Sequence, residues 1–136
     1  MQNVRIKITG THGEGSDRET VVTDCEGVLY EKNGKHYLRY TEKDAASGQD
    51  RKALIKVEGG TVTVEYKGNT DTVMIFEVGR KNRSMYRTPM GSMMLETDTK
   101  FMEIKTGEAS LDIEIDYLMS LGGGEPANAA INIKAG

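Results

Sequence analysis

Residues 51–67 read RKALIKVEGGTVTVEYK, and the register they impose decides the fold class. Two alternating runs flank Gly59-Gly60, a dipeptide suited to a two-residue hairpin turn. With that turn, Val57 lies opposite Val62, Ile55 opposite Val64 and Ala53 opposite Tyr66, all on one face. Lys52, Lys56, Thr63 and Lys67 take the other. A slip of one residue would place the whole apolar set in water, so this antiparallel register is strongly specified.

The same construction extends in both directions. Around Asn33-Gly34, Leu29 faces Leu38 and Gly27 faces Tyr40, while Tyr30 and Tyr37 meet on the opposite side. Gly27 allows a bend or bulge in the long run 19–31, which returns as 35–43. A turn at Gly107-Glu108 sets Ile104 against Leu111 and Met102 against Ile113. The second strand then continues through Ile115, Tyr117, Met119 and Leu121, with Asp112, Glu114 and Asp116 outward. At Gly68-Asn69 a three-residue loop turns Met74, Phe76 and Val78 inward. The two-residue alternative, with Val73 and Ile75 inward, would also bury Asp71 and Glu77.

Met93, Leu95, Thr97, Thr99 and Phe101 share one parity and Met102 and Ile104 the other, so a bulge is expected near 101. Val4, Ile6 and Ile8 open the chain, and Ala129, Ile131 and Ile133 close it. Residues 12–17, 44–50 and 120–126 read as loops.

Nine runs are evident, and a meander that pairs its first strand with its last needs an even number. Counting 84–90 and 92–105 separately gives ten; treating one run as a flap gives eight. No helix covers the apolar face, so the sheet must curl on itself or pair with another. The reading is an all-β, antiparallel up-and-down meander closed into a barrel of eight to ten strands, one domain over 1–136. A two-sheet sandwich is the alternative.

Composition removes several function classes. The formal net charge of -3 provides no global basic field for nucleic acid or anionic lipid. Cys25 is the single cysteine, so no internal disulfide forms, as suits a reducing compartment. The opening residues carry no secretory pattern and no apolar run approaches a membrane span, so a cytoplasmic setting is expected. Tryptophan is absent, unlike in secreted lipocalins, and eight methionines supply adaptable apolar surface.

One pattern goes beyond architecture. Tyr86-Arg87-Thr88-Pro89-Met90-Gly91 is followed by alternation to Thr99. Gly107, Leu111, Ile113, Ile115, Asp116 and Tyr117 come next, then Asn128, Ile131, Asn132 and Ile133. In order and spacing this resembles the YwiB-like family of small bacterial proteins of unassigned function. The resemblance spans nearly the whole chain, including the Val4–Ile8 start and the Val28–Tyr40 hairpin. It implies a calycin-type, lipocalin-like barrel in a bacterial cytosol. It carries no catalytic residues across. On the family pattern, Thr88 and Thr99 are structural hydroxyls bonding local backbone.

Such barrels either hold a small ligand or fill themselves with side chains. Inward-facing Tyr40, Tyr66, Tyr117, Met93, Met102 and Met119 are candidates to line a pocket, with phenols as polar fixtures. The plainer alternative is a solid core in which methionine fills gaps. Arg80-Lys81-Asn82-Arg83 with Tyr86 and Arg87 is the concentrated basic patch. At a barrel mouth, Arg83 and Arg87 would grip a carboxylate or phosphate, and Tyr86 could stack on single-stranded RNA. Otherwise the run is a solvated loop.

His12 and His36 lack ligand-spaced partners, so no metal is expected. The row Asp112, Glu114, Asp116 could attract a divalent cation, but a soluble outer face is the simpler reading. Ser92, Ser110 and Cys25 carry no nucleophile motif, and Gly122-Gly123-Gly124 lacks a phosphate-loop context. The expectation is a non-enzymatic, cofactor-free binding module for a small amphipathic or anionic molecule. The alternative is a protein-interaction module with a filled interior.

Overall fold

In a computed structural model, which describes residues 1–13, 16, 18–43, 50–68 and 70–136, the hairpins wrap fully round. The strands are β1 (Gln2–His12), β2 (Glu19–Lys32), β3 (Lys35–Lys43), β4 (Asp50–Glu58) and β5 (Thr61–Lys67). They continue with β6 (Asp71–Phe76), β7 (Lys81–Thr88), β8 (Gly91–Gly107), β9 (Ser110–Leu121) and β10 (Ala127–Ala135). Each pairs antiparallel with its sequence neighbours, and β1 closes on β10 from Ile6↔Ala135 to His12↔Ala129. The even count is ten because Pro89-Met90 divides β7 from β8. The loop residues 14, 15, 17, 44–49 and 69 lie outside the described residues.

The β3–β4–β5 register is the one read from the sequence, with Val57↔Val62, Ile55↔Val64 and Ala53↔Tyr66. Leu29↔Leu38 and Gly27↔Tyr40 also pair as expected, and Tyr30 stacks on Tyr37 with ring centroids 5.0 Å apart. The loop after β5 is the three-residue one, giving Val62↔Phe76 and Val64↔Met74.

Four details differ. The turn between β8 and β9 is Glu108-Ala109, so Ile104 faces Ile113 and Met102 faces Ile115. A shift of two residues keeps every side chain on its face, so hydrophobic pattern cannot detect it. Val78 is exposed rather than inward, because β6 ends at Phe76 and the chain crosses to a parallel bridge with Thr99. The bulge falls between Thr99 and Phe101, which puts Phe101 opposite outward Asp116 and leaves it exposed. His12 belongs to β1, and β9 runs on to Leu121.

The axis is occupied by side chains. Ile6, Leu38, Ile55, Val62, Val64, Phe76, Ile113, Ile115 and Ile133 are all fully buried. Phe76 meets Tyr117 edge to face, with ring centroids 4.8 Å apart. Burying each such side chain contributes roughly 1.5–3 kcal/mol.

The ladder is incomplete in two places. Pairing of β2 with β3 runs only from Gly27↔Tyr40 down to Lys32↔Lys35, so Glu19–Glu26 pairs with β1 alone among the described residues. Gly27 marks the limit: a Cβ there would overlap the Arg39 carbonyl oxygen and the Ile6 side chain. The second break lies between β6 and β7, which share only Asp71↔Arg87 and Thr72↔Tyr86. Below it side chains replace ladder bonds. Ser84 Oγ donates to the Val73 carbonyl, and Thr97 Oγ1 donates to the Ile75 carbonyl at 2.7 Å.

Candidate functional site

The end at which β1, β3, β5, β7 and β9 finish, here the upper rim, gathers the polar inward side chains. On β3 the alternation that buries Leu38 and Tyr40 carries Glu42 inward; on β4 the one that buries Ala53 carries Arg51. Glu42 and Arg51 are register partners. Arg51 Nε donates to Glu42 Oε1 at 2.6 Å, and a terminal guanidinium nitrogen reaches the same oxygen. The Glu42 side chain is only 8% exposed. The guanidinium lies 4.1 Å above the centre of the Tyr66 ring.

Beneath this pair, the Tyr40 and Tyr66 hydroxyls meet at 3.3 Å. Burial pushes both phenols above the ordinary tyrosine range, and the neighbouring Tyr66 raises Tyr40 further. Tyr117 is pushed up to about 12, first by burial and then by Tyr66. Cys25, half-buried on β2, has its thiol raised by burial, then by Glu42 and Asp24. These groups therefore remain neutral at ordinary pH, and the Tyr40 and Tyr66 hydroxyls hydrogen-bond each other.

Of the sequence-read candidates, Tyr40, Tyr66 and Tyr117 come together, and Met119 packs against the same core. Tyr86 faces inward, half-buried, opposite Met93, which sits high on the rim and is nearly half exposed. Met102 packs on the core too, but below the bulge and away from the rim.

Arg83 and Arg87 do not join them. Residues 80–83 are not a mouth loop: β7 begins at Lys81, and its alternation turns Asn82, Ser84, Tyr86 and Thr88 in and Lys81, Arg83, Met85 and Arg87 out. Arg83 Nε lies 3.6 Å from Glu96 on the outside. The barrel wall thus separates both arginines from the phenols, and one small molecule cannot span the two sets. The inward cation is Arg51. Its signal was in the sequence: it shares the parity of Ala53, Ile55 and Val57, as Glu42 shares that of Leu38 and Tyr40.

Among the described residues no three His, Cys, Asp or Glu side chains converge as a metal site. Asp112 sits on the outer face between Lys105 and Lys134 on neighbouring strands. Thr88 bonds local backbone, donating to the Gly91 carbonyl at 2.9 Å and accepting from Met90 N–H. Thr99 does not: its hydroxyl is buried without a partner, as is the Asn82 side-chain amide nitrogen.

These features define a class, a closed ten-stranded antiparallel barrel with a packed axis and a polar upper rim. The model of the domain of unknown function DUF1934 matches residues 6–133, and the chain belongs to that family. The uncharacterized beta-barrel protein YwiB of Bacillus subtilis (strain 168) is 28% identical over 119 residues, 88% of this chain and 82% of the relative. The crystal structure of ywiB protein from Bacillus subtilis matches with a TM-score of 0.82 at 24% identity, covering 98% of this chain and 92% of that one. The likeness read from Tyr86–Gly91 and the strands after it is a true family relation.

Proposed function

We propose that this chain is a non-enzymatic binding module whose site is the upper rim. The observation that supports this is the Arg51–Glu42 pair, held inward above the hydroxyl-paired Tyr40 and Tyr66 where β2 and β3 part. A largely buried ion pair is an inefficient source of stability compared with apolar packing, which favours a recognition role. The arrangement suits a small amphipathic molecule. Its apolar body would rest on Tyr117, Met119, Tyr86 and the exposed Met93, and its polar or anionic head would meet Arg51.

A calycin-type likeness fits this reading, and the lone Cys25 fits a reducing cytosol. The net charge of -3 argues against nucleic acid and anionic membranes as partners. No helix of the described residues is long and apolar enough to cross a membrane.

The test is native mass spectrometry of protein taken from its own host, joined to titration with anilinonaphthalene sulfonate, an anionic aromatic probe. The expected result is saturable one-to-one binding that Arg51→Met weakens about tenfold, the loss of one charge-assisted contact. Arg87→Glu should leave it unchanged. A bare chain mass together with no saturable probe binding overturns the proposal.

A further inference from the structure

The rim ion pair uses only half of its carboxylate. An arginine fork facing a carboxylate frequently engages both oxygens, one nitrogen to each. Here Arg51 Nε and a terminal nitrogen converge on the same atom, Glu42 Oε1. Glu42 Oε2 is left without a hydrogen bond among the described residues, on a side chain that is 8% exposed. A carboxylate oxygen held from water without a donor is costly, and a ligand that brings the donor recovers that cost.

The neighbouring groups do not supply it. After burial, the Glu42 charge is among the influences that raise Cys25 on β2, Tyr40 on β3 and Tyr66 on β5, which places the carboxylate within the rim. The Tyr40 and Tyr66 hydroxyls are engaged with each other. Tyr117, kept protonated by burial, has no hydrogen-bond partner among the described residues. His12, at the upper end of β1, lies 3.6 Å from Glu19. The inner face of the rim therefore combines one guanidinium, one carboxylate and neutral phenols, a set with no net charge to offer a plain anion. An anion set against Arg51 also lies beside Glu42, and it leaves Oε2 bare. A head that carries both signs on adjacent positions answers both members of the pair.

We propose, resting on the rim reading, that the head taken there is zwitterionic: a primary ammonium donates to Glu42 Oε2 beside a carboxylate on Arg51. An α-amino acid with a long apolar side chain has this chemistry. The two charges of the rim pair are in contact, so those of the ligand must be close as well, and an α-amino acid carries both on one carbon. A phosphoethanolamine head sets them further apart. The ammonium brings three donors, which Oε2 and the neighbouring phenol oxygens accept.

The test is displacement of anilinonaphthalene sulfonate from the full-length chain by three probes of one chain length: α-aminododecanoic acid, its N-acetyl derivative and dodecanoic acid. Each is used below its micelle concentration. The amino acid should displace the dye at about a tenfold lower concentration than the other two, which keep the carboxylate and lack the ammonium. Glu42→Gln should reverse this order, because it removes the charge that attracts the ammonium and competes for Arg51. A damaged fold weakens the probes together and does not exchange their ranks. Where Glu42→Gln fails to fold by circular dichroism, the wild-type comparison with the N-acetyl derivative decides alone. Dye binding with no advantage for the amino acid overturns this proposal and leaves the rim reading standing. Absence of saturable dye binding removes both. An advantage that survives in folded Glu42→Gln overturns the assignment to Oε2, and flotation of the chain with phosphatidylethanolamine vesicles overturns it in favour of a lipid head.

Discussion

The three rim phenols make this barrel sensitive to alkali in a way that can be worked out for one residue. Tyr117 has an ordinary phenol value of 10.0 that rises in the fold to about 12, chiefly through burial. A phenol is charged when it loses its proton, so above pH 10 the unfolded chain ionises while the folded one resists. The folded state then binds more protons, and stability falls as pH rises. The effect of Tyr117 is absent below pH 10 and complete once pH passes about 12. At pH 11 the unfolded phenol is mostly ionised and the folded one mostly protonated, a loss of roughly 1.4 kcal/mol that approaches roughly 3 kcal/mol when complete. Tyr40 and Tyr66 are raised by the same cause and add losses of the same sign. The assay is urea unfolding of the wild type and Tyr117→Phe at pH 8 and pH 11, followed by circular dichroism. Relative to wild type, Tyr117→Phe should gain about 1.4 kcal/mol on moving to pH 11. An unchanged difference between the two proteins at both pH values would refute the burial argument, whatever the absolute stabilities.

Packing and hydrogen bonding set three more expectations. Gly27→Ala, whose methyl would overlap the Arg39 carbonyl and the Ile6 side chain, should lower stability by more than about 2 kcal/mol, read from the urea midpoint. Phe76→Ala, emptying the centre of the barrel beside Tyr117, should cost about 3–5 kcal/mol by the same measurement. Thr97→Val and Thr99→Val form a contrast. The first removes the donor to the Ile75 carbonyl and should cost about 1–2 kcal/mol; the second removes a hydroxyl that has no partner and should be neutral or stabilising. Equal losses in the two variants would contradict the assigned hydrogen bonding.

Alternation made much of this legible. Face assignment needs only parity, and parity was right for β3, β4, β5, β9 and β10 because each alternates without interruption. It failed at Phe101, where Lys100 is the bulged residue and flips the next side chain outward. Parity also gives face without depth: Met93 points inward yet lies beside the open rim. Glycine misled at 107, whose φ is not positive, so the turn had no need of it and closed one residue later. The rim pair Arg51–Glu42 was readable from parity, but a charged residue near a strand end is ordinarily assigned to solvent. Both ladder breaks escaped notice because they depend on how far neighbouring strands stay together. Hairpin turns fix the start of a register and say nothing of its end.

Those two breaks explain why the distinctive chemistry lies where it does. Around most of the cylinder, from β3 to β5 and from β8 through β9 and β10 to β1, adjacent strands satisfy each other's backbone. There, below the upper rim, the inner face is apolar apart from Thr97 and Thr99, and the outer face carries charge. Where β2 leaves β3, and again where β6 leaves β7, backbone groups need other partners and the inner and outer faces come into communication. At the second break, Ser84 and Thr97 take over hydrogen bonds that a continuous ladder would have made. Their neighbours Val73 and Met85 are left bordering an open depression. Beside the first, a glutamate, an arginine and two phenols are held inward where a closed barrel would carry aliphatic residues. A sequence selected only for a stable closed barrel would carry valine and isoleucine there, as the lower part of the β4–β5 hairpin does with Ile55, Val57, Val62 and Val64. On the proposed reading, binding at the rim accounts for the retention of the polar groups beside the first break, against the aliphatic residues that fill the lower part of the same strands.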